Sequence, residues 1–267
     1  MDVVGDLLTR DRRSRDPALV TATGSERSYH DLITNGYKSA NVLRYLGARE
    51  GSTVAIDPIP GFHTVLAFLG AARLGTRVRF DPDRGLDAGD RVVMVPVADE
   101  GTTAPGPGTK LITYGGSPER PETTHWEQEL WSENPGTPPA NVDPSDPLLV
   151  HDRDDPERRA EATHSHAAVL ATARRIVAEH DLAADSRVVI RTSLGDPGTV
   201  AAGLVAPLSV GGTVVLSRRD VNGGDATDRE GVDREPRGDL AIVEDPDAGD
   251  PARVPEPQRI GPPAVSE

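Results

Sequence analysis

Between Gly51 and Pro82 a short apolar strand, an apolar helix and a second strand follow one another, and this order constrains the fold more than any other stretch. Gly51 turns the chain into Val54-Ala55-Ile56. Phe62 to Leu74 is an apolar helix closed by Gly75, and Thr76 to Phe80 is a strand ended by Asp81-Pro82. Two short strands joined by a helix run parallel through a right-handed crossover. A parallel sheet needs helices over its faces, so the fold class expected is α/β: a mainly parallel sheet with helices on both faces.

The same logic repeats from Leu148 to His180. Leu148-Leu149-Val150-His151 reads as a buried strand. Ser165 to His180 reads as a helix with Val169, Ala173, Ile176, Val177 and His180 on one face, capped by Thr163 or Ser165. A loop between them lies where α/β proteins bind ligands, at the carboxyl end of a strand. That loop, residues 152–161, carries five carboxylates (Asp152, Asp154, Asp155, Glu157 and Glu161) and three arginines (Arg153, Arg158 and Arg159), with Pro156 and Ala160 completing it. Gripping a polyphosphate takes glycines that turn backbone N–H groups inward, hydroxyls and a cation. The loop has neither glycine nor lysine, and its acids would repel such a ligand. Its position indicates a ligand site, and its composition argues against a phosphate ligand.

Upstream, Val3 to Arg10 is a short helix, Ala18 to Thr21 a strand and Thr23 to Glu26 a turn. Ser28 with Asp31 forms a capping-box start to a helix that runs to Gly47. Val92 to Val97 and Lys110 to Tyr114 are strands, and Gly115 to Asp146 winds over the surface with a helical turn at His125 to Trp131. Trp126 and Trp131 are expected to anchor that long loop. Arg187 to Arg191 is a strand, Gly198 to Val210 an apolar helix and Gly212 to Leu216 a strand. From Arg218 the pattern stops, and charge density with low hydrophobicity favours disorder. The expected organisation is a first lobe over 1–146 ending in a Pro-rich surface loop, a second over 147–217, and a disordered acidic tail over 218–267.

Charge and composition exclude several function classes. The net charge is −14, and Lys38 and Lys110 are the only lysines. An acidic, lysine-poor surface suits a salt-adapted cytoplasm and lacks the basic footprint of nucleic-acid binding. With no cysteine, disulfides and thiolate chemistry are excluded. No apolar run is long enough to span a bilayer, and the first residues carry no signal-peptide pattern. The expectation is a soluble cytoplasmic protein without nucleic-acid or membrane partners.

These elements carry a family resemblance. Tyr29, Leu46-Gly47, Gly51 to Ile56, Phe68-Leu69-Gly70-Ala71, Gly75 and Pro82 stand in the order and spacing of the opening of AMP-forming acyl-CoA synthetases, the superfamily that includes adenylation domains and luciferase. Leu148 to Leu216 resembles the start of that family's nucleotide-binding region, with Ala201 to Leu208 and Gly211 to Leu216 adding to the likeness. In the family a strand leads into T-S-G-T-T-G-x-P-K-G, and a Thr-His or Ser-His pair then opens a helix. His164-Ser165-His166 and Ala167 to Leu170 match the later part. Asp152, Arg153, Asp154, Asp155, Glu157, Arg158 and Glu161 then occupy phosphate-loop positions, and Ala160 stands where the lysine would be. None of the ten loop residues matches.

The resemblance implies the N-terminal half of such a synthetase with a degenerate nucleotide loop. The adenine-binding strand, the aromatic-Gly-x-Thr-Glu motif, the ribose aspartate and the mobile C-terminal domain are not found. The reading is therefore a truncated ligase homologue, a pseudoenzyme without catalytic residues or a cofactor of its own, acting as a regulatory or interaction partner of a full-length synthetase. The alternative is a carboxylate-activating enzyme, an AMP-forming acid–thiol ligase using ATP and Mg²⁺, completed by a complementing subunit. A third reading is a general α/β module. The family's histidine shapes the acyl-pocket wall, which the resemblance carries to His164 or His166, beside the plainer reading of helix-start polarity for His164, Ser165 and His166. A metal site from His151, Asp154, His164 and His166 has usable ligands in a spacing that fits no known pattern, so none is assigned.

Overall fold

The structure, a computed structural model, describes residues 1–82, 86, 89–152, 161–217, 236–246 and 254–266. The strands form two sheets. The first is ordered β13 (Gln258–Ile260), β12 (Leu240–Ile242), β10 (Arg187–Ile190), β11 (Thr213–Leu216), β1 (Pro17–Val20) and β2 (Glu26–Ser28). The second is ordered β7 (Thr124–His125), β6 (Lys110–Tyr114), β5 (Asp90–Pro96), β3 (Thr53–Ile56), β4 (Arg77–Arg79), β8 (Pro147–Asp152) and β9 (Glu161–Ser165). All pairings are parallel except β1–β2 and β8–β9, each at a sheet edge. The fold is α/β, as its strand–helix–strand units require.

Side-chain alternation sets the layers. Val188, Ile190, Val214, Leu216, Leu240 and Ile242 of the first sheet, and Val54, Ile56, Val92, Met94 and Ile112 of the second, join one large core. The intervening residues point to the opposite faces, into two small clusters around Val189 and Val93. The helices α1 (Tyr29–Tyr45), α2 (Phe62–Leu74), α3 (Trp126–Ser132), α4 (His166–Glu179) and α5 (residues 197–210) send their buried side chains into the large core. They therefore lie between the two sheets. Gly70 fixes the α1–α2 approach, because a Cβ there would lie 2.3 Å from Ser39 Oγ and 2.8 Å from Ala40 N.

Helix boundaries follow from local chemistry. Ser28 Oγ accepts from the Asp31 N–H at 3.1 Å, and the Asp31 carboxylate accepts from the Ser28 N–H at 3.1 Å, which completes the expected capping box of α1. Gly75 ends α2 in the left-handed region at φ 70°. The apolar helix read over Gly198 to Val210 is less regular. Its middle, Val200–Val205, is a π-helix between α-helical turns at Pro197–Thr199 and Ala206–Val210. Pro207 has no N–H to give the carbonyl one turn back, so the winding before it changes. Val3 to Arg10 is two 3₁₀ turns, Val4–Leu8 and Arg10–Arg12, in place of one helix.

Both sheets mix segments distant in sequence: β8 and β9 lie at the edge of the sheet that holds β3 to β7, and β1 and β2 at the edge of the sheet that holds β10 to β13. Residues 148–180 are strand, strand, helix, since Glu161-Ala-Thr-His-Ser165 pairs antiparallel to β8. Its single apolar residue, Ala162, gave no periodicity to read. The acidic tail is not without structure in its described residues. Leu240, Ala241 and Ile242 are buried in β12 and pair with β10, and β13 pairs with β12. These three-residue strands are held by the ladder and by a buried ion pair, Arg191 Nη2 to Glu256 Oε1 at 2.8 Å, and neither is visible as a hydrophobic run.

Candidate functional site

The carboxyl ends of β3, β4, β10 and β13 and the β8–β9 hairpin converge on a cleft of about 680 Å³. Pro58 follows β3, Phe80 and Asp81 follow β4, and Ser193, Gly195 and Asp196 follow β10. Residues 262–265 follow β13. This is the position at which open α/β sheets bind ligands. The two sheets are tied together there: the Leu194 N–H donates to the Pro58 carbonyl at 2.9 Å.

His151 and His164 form one wall. In the hairpin register Leu149 faces His164 and His151 faces Ala162, so the two histidines are diagonal neighbours on one face. Their rings stack 5.2 Å apart at 8°. Opposite stands the start of α5. The Asp196 carboxylate accepts from the Gly198 N–H at 2.7 Å as an N-cap, and Pro197 occupies the first turn. A Cβ on Gly198 would lie 2.1 Å from the Pro263 carbonyl oxygen, so glycine is what lets the segment after β13 close over this helix end. Arg79, buried at 4 % exposure, ion-pairs with Asp90 and reaches Asp81 at 3.6 Å. The charged or titratable groups among the described lining residues are thus Asp81, Asp196, His151 and His164, with no arginine or lysine.

The structure separates the histidines singled out in the sequence. His164 lines the cleft. Ser165 is the N-cap of α4, its Oγ accepting from the Ala168 N–H at 3.2 Å. His166 turns into the core, fully buried, where its Nδ1 accepts from the Val4 N–H at 3.2 Å. Burial pushes its pKa down to about 4, against the opposing pull of Asp146 and Asp6. Asp152 and Glu161 are partners in the backbone register of β8 and β9. Arg153, Asp154, Asp155, Glu157, Arg158 and Ala160 lie outside the described residues. Among the described residues no group of three or more histidines and carboxylates could hold a metal.

Sequence reasoning missed most of the lining. Pro58, Phe80, Asp81, Ser193, Asp196 and Pro263 are scattered along the chain, and each only follows a strand; the shared signal was that position. The tryptophans also divide. Trp126 is fully buried and donates from Nε1 to His63 Nδ1 at 3.0 Å, whereas the Trp131 side chain is exposed and only its carbonyl is held, by Lys38 Nζ at 3.4 Å. It sits on the outer side of a short helix whose inner side is already filled by Trp126 and Leu130. His63 is pushed below the ordinary histidine pKa by burial, with Glu127 opposing and Arg27 assisting.

Solved structures share this architecture. A benzoate CoA ligase from Burkholderia xenovorans LB400 superposes with a TM-score of 0.72 at 18 % identity, over 97 % of this chain and 55 % of its own. ATP-bound MatB from Rhodopseudomonas palustris matches with a TM-score of 0.74 at 16 % identity, over 90 % and 49 %. The anthranilate CoA ligase AuaEII in complex with anthranoyl-AMP matches with a TM-score of 0.72 at 17 % identity, over 90 % and 49 %. The chain thus spans about half the length of these proteins and has the fold of that half. No protein-family model and no curated protein matches it. Among the described residues no helix is long and apolar enough to cross a membrane.

Proposed function

We propose that this chain is a ligase-like protein of the AMP-forming acyl-CoA kind that keeps the acyl cleft and has given up adenylation. The observation that carries the reading is the sequence between the paired strands β8 and β9, whose His151 and His164 line the cleft. Residues 152–161, from the last residue of β8 to the first of β9, hold five carboxylates, no glycine and no lysine. A triphosphate would meet no lysine and no glycine-opened backbone there, and it would be repelled. The cleft itself offers it no cation among the described lining residues. The residues present therefore do not fit ATP with Mg²⁺, and no step is derived through them.

What remains suits the organic half of such a substrate. Pro58, Phe80, Pro197 and Val265 give apolar lining, and His151 and His164 give a flat polar wall able to donate to a carboxylate. In this reading the protein binds an acyl or aryl carboxylate and acts as a regulatory or interaction partner of a complete synthetase. ATP–pyrophosphate exchange with aliphatic and aromatic acids tests it. The purified chain is expected to give no exchange, and exchange above a no-enzyme blank overturns the reading.

The cleft of about 680 Å³ favours one second reading, an enzyme that activates carboxylates once another polypeptide completes it. Exchange that appears only on adding a purified candidate subunit would establish that reading in place of the first.

A further inference from the structure

At the opposite end of the second sheet lies a groove of about 550 Å³, formed by the turn after α1, the start of β3, and the starts of β5 and β6. Arg49, Arg91 and Lys110 point into it, and Glu50 is the one carboxylate among the described lining residues. On a chain of net charge −14 this is a local reversal of sign. None of the three cations forms an ion pair among the described residues. Elsewhere Arg79, Arg175 and Arg191 are matched with carboxylates.

The two guanidinium groups are held in place by backbone. Arg91 Nη1 donates to the Gly108 carbonyl at 3.1 Å, and its stem lies over Gly47, where a Cβ would come 3.3 Å from Arg91 Cδ. Gly47 and Gly108 both have left-handed backbone, at φ 98° and 86°. Arg49 Nη1 donates to the Arg44 carbonyl at 3.2 Å, at the carboxyl end of α1. A guanidinium has five N–H donors, so both heads keep donors for a ligand while their positions are already fixed. Such pre-organisation lowers the ordering cost of binding. Lys110 begins β6 opposite Val92 in the ladder, one residue from Arg91, and adds a third charge.

The geometry points to an anion-binding site in this groove, for a phosphorylated small molecule whose oxyanion is gripped by Arg49, Arg91 and Lys110. It lies at the amino end of the sheet, away from the cleft, and does not depend on the function proposed for that cleft.

The probe is inorganic pyrophosphate, titrated at fixed ionic strength into the ¹⁵N-labelled full chain, with amide shifts followed by NMR. Saturable shifts are expected at Gly47, Gly51 and Gly108. Lys110→Gln and, separately, Arg91→Gln should each weaken the affinity roughly tenfold, the weight of one charge-assisted hydrogen bond. Lys110 is exposed, so its variant folds even if the arginine variant does not. Lys38→Gln removes the same charge outside the groove and should leave the affinity unchanged. The inference is overturned by shifts confined to residues 151–165, by no saturation at the glycines, or by equal losses in the two lysine variants, which would mean general charge screening.

Discussion

His166 opens α4 with its imidazole turned into the core. The Ser165-His166 pair places a helix start, and the helix starts there. Yet the imidazole serves packing: its Nδ1 takes the Val4 N–H, and Nε2 is buried without a hydrogen-bond partner. Burial lowers the folded pKa to about 4, below the ordinary value of about 6.5. A depressed histidine pKa means that the unfolded chain binds the proton first. The stabilisation is complete above about pH 6.5 and is lost as pH falls toward 4, to a limit on the order of 3 kcal/mol. Denaturant unfolding at stepped pH checks this. The wild type should weaken across that window, and His166→Asn, which keeps an acceptor for Val4, should lose that part of the slope. An unchanged slope in the variant would assign the acid sensitivity to other groups. The cleft histidines were less legible, because what pairs His151 with His164 is an antiparallel register that a polar five-residue strand does not announce.

At the scale of elements, the residues that carried the family likeness turn out to set distances between helices and strands. Gly70, in the run Phe68-Leu69-Gly70-Ala71, is where α2 meets α1, against Ser39 and the backbone of Ala40. Gly70→Ala is expected to push the helices apart and cost about 1–3 kcal/mol by overpacking, seen as a lower denaturation midpoint with secondary structure retained. The strands of the acidic segment test a different cause. Arg191 and Glu256 are 10 % and 0 % exposed in their side chains and pair at 2.8 Å. Glu256→Ala removes two charge-assisted hydrogen bonds to a largely buried guanidinium, at 3.0 and 2.8 Å, and should cost about 2–3 kcal/mol. Hydrogen exchange should quicken first at β12 and β13. If those amides stay protected, the ladder alone holds the strands. Long elements with their own apolar period and caps, α1, α2, β5 and β6, were legible from sequence to within a residue or two. Strands of two or three residues that depend on a neighbouring ladder, β7 and β13, were not, because their stabilisation is absent from their own side chains, and the buried apolar residues of β12 stand as a short patch in a charged segment. The π turn of α5 was hidden for a related reason: its residues are apolar throughout, and only Pro207 hinted at a change of winding.

Over the whole molecule, net charge −14 acts on stability and on the functional test together. Like charges spread over a compact chain repel, and the repulsion is relieved on unfolding. Screening shortens its reach from about 30 Å at 0.01 M salt to about 3 Å at 1 M. The thermal midpoint should therefore climb as potassium chloride rises through this range. A midpoint insensitive to salt at the low end would mean that ion pairs already balance the surface. The same screening tests the proposed loss of ATP binding and separates two reasons for it. If acidic repulsion alone excludes the triphosphate, binding should emerge as salt rises, since attraction through backbone donors at contact is screened far less than repulsion over several ångströms. If the missing glycines and lysine are the cause, a calorimetric titration of ATP with magnesium should stay flat in dilute and molar salt alike. The flat result is expected, because screening removes an obstacle and supplies no donors. Binding that grows with salt would trace the proposed loss to the charge of residues 152–161, and substituting those carboxylates by asparagine and glutamine should then strengthen binding.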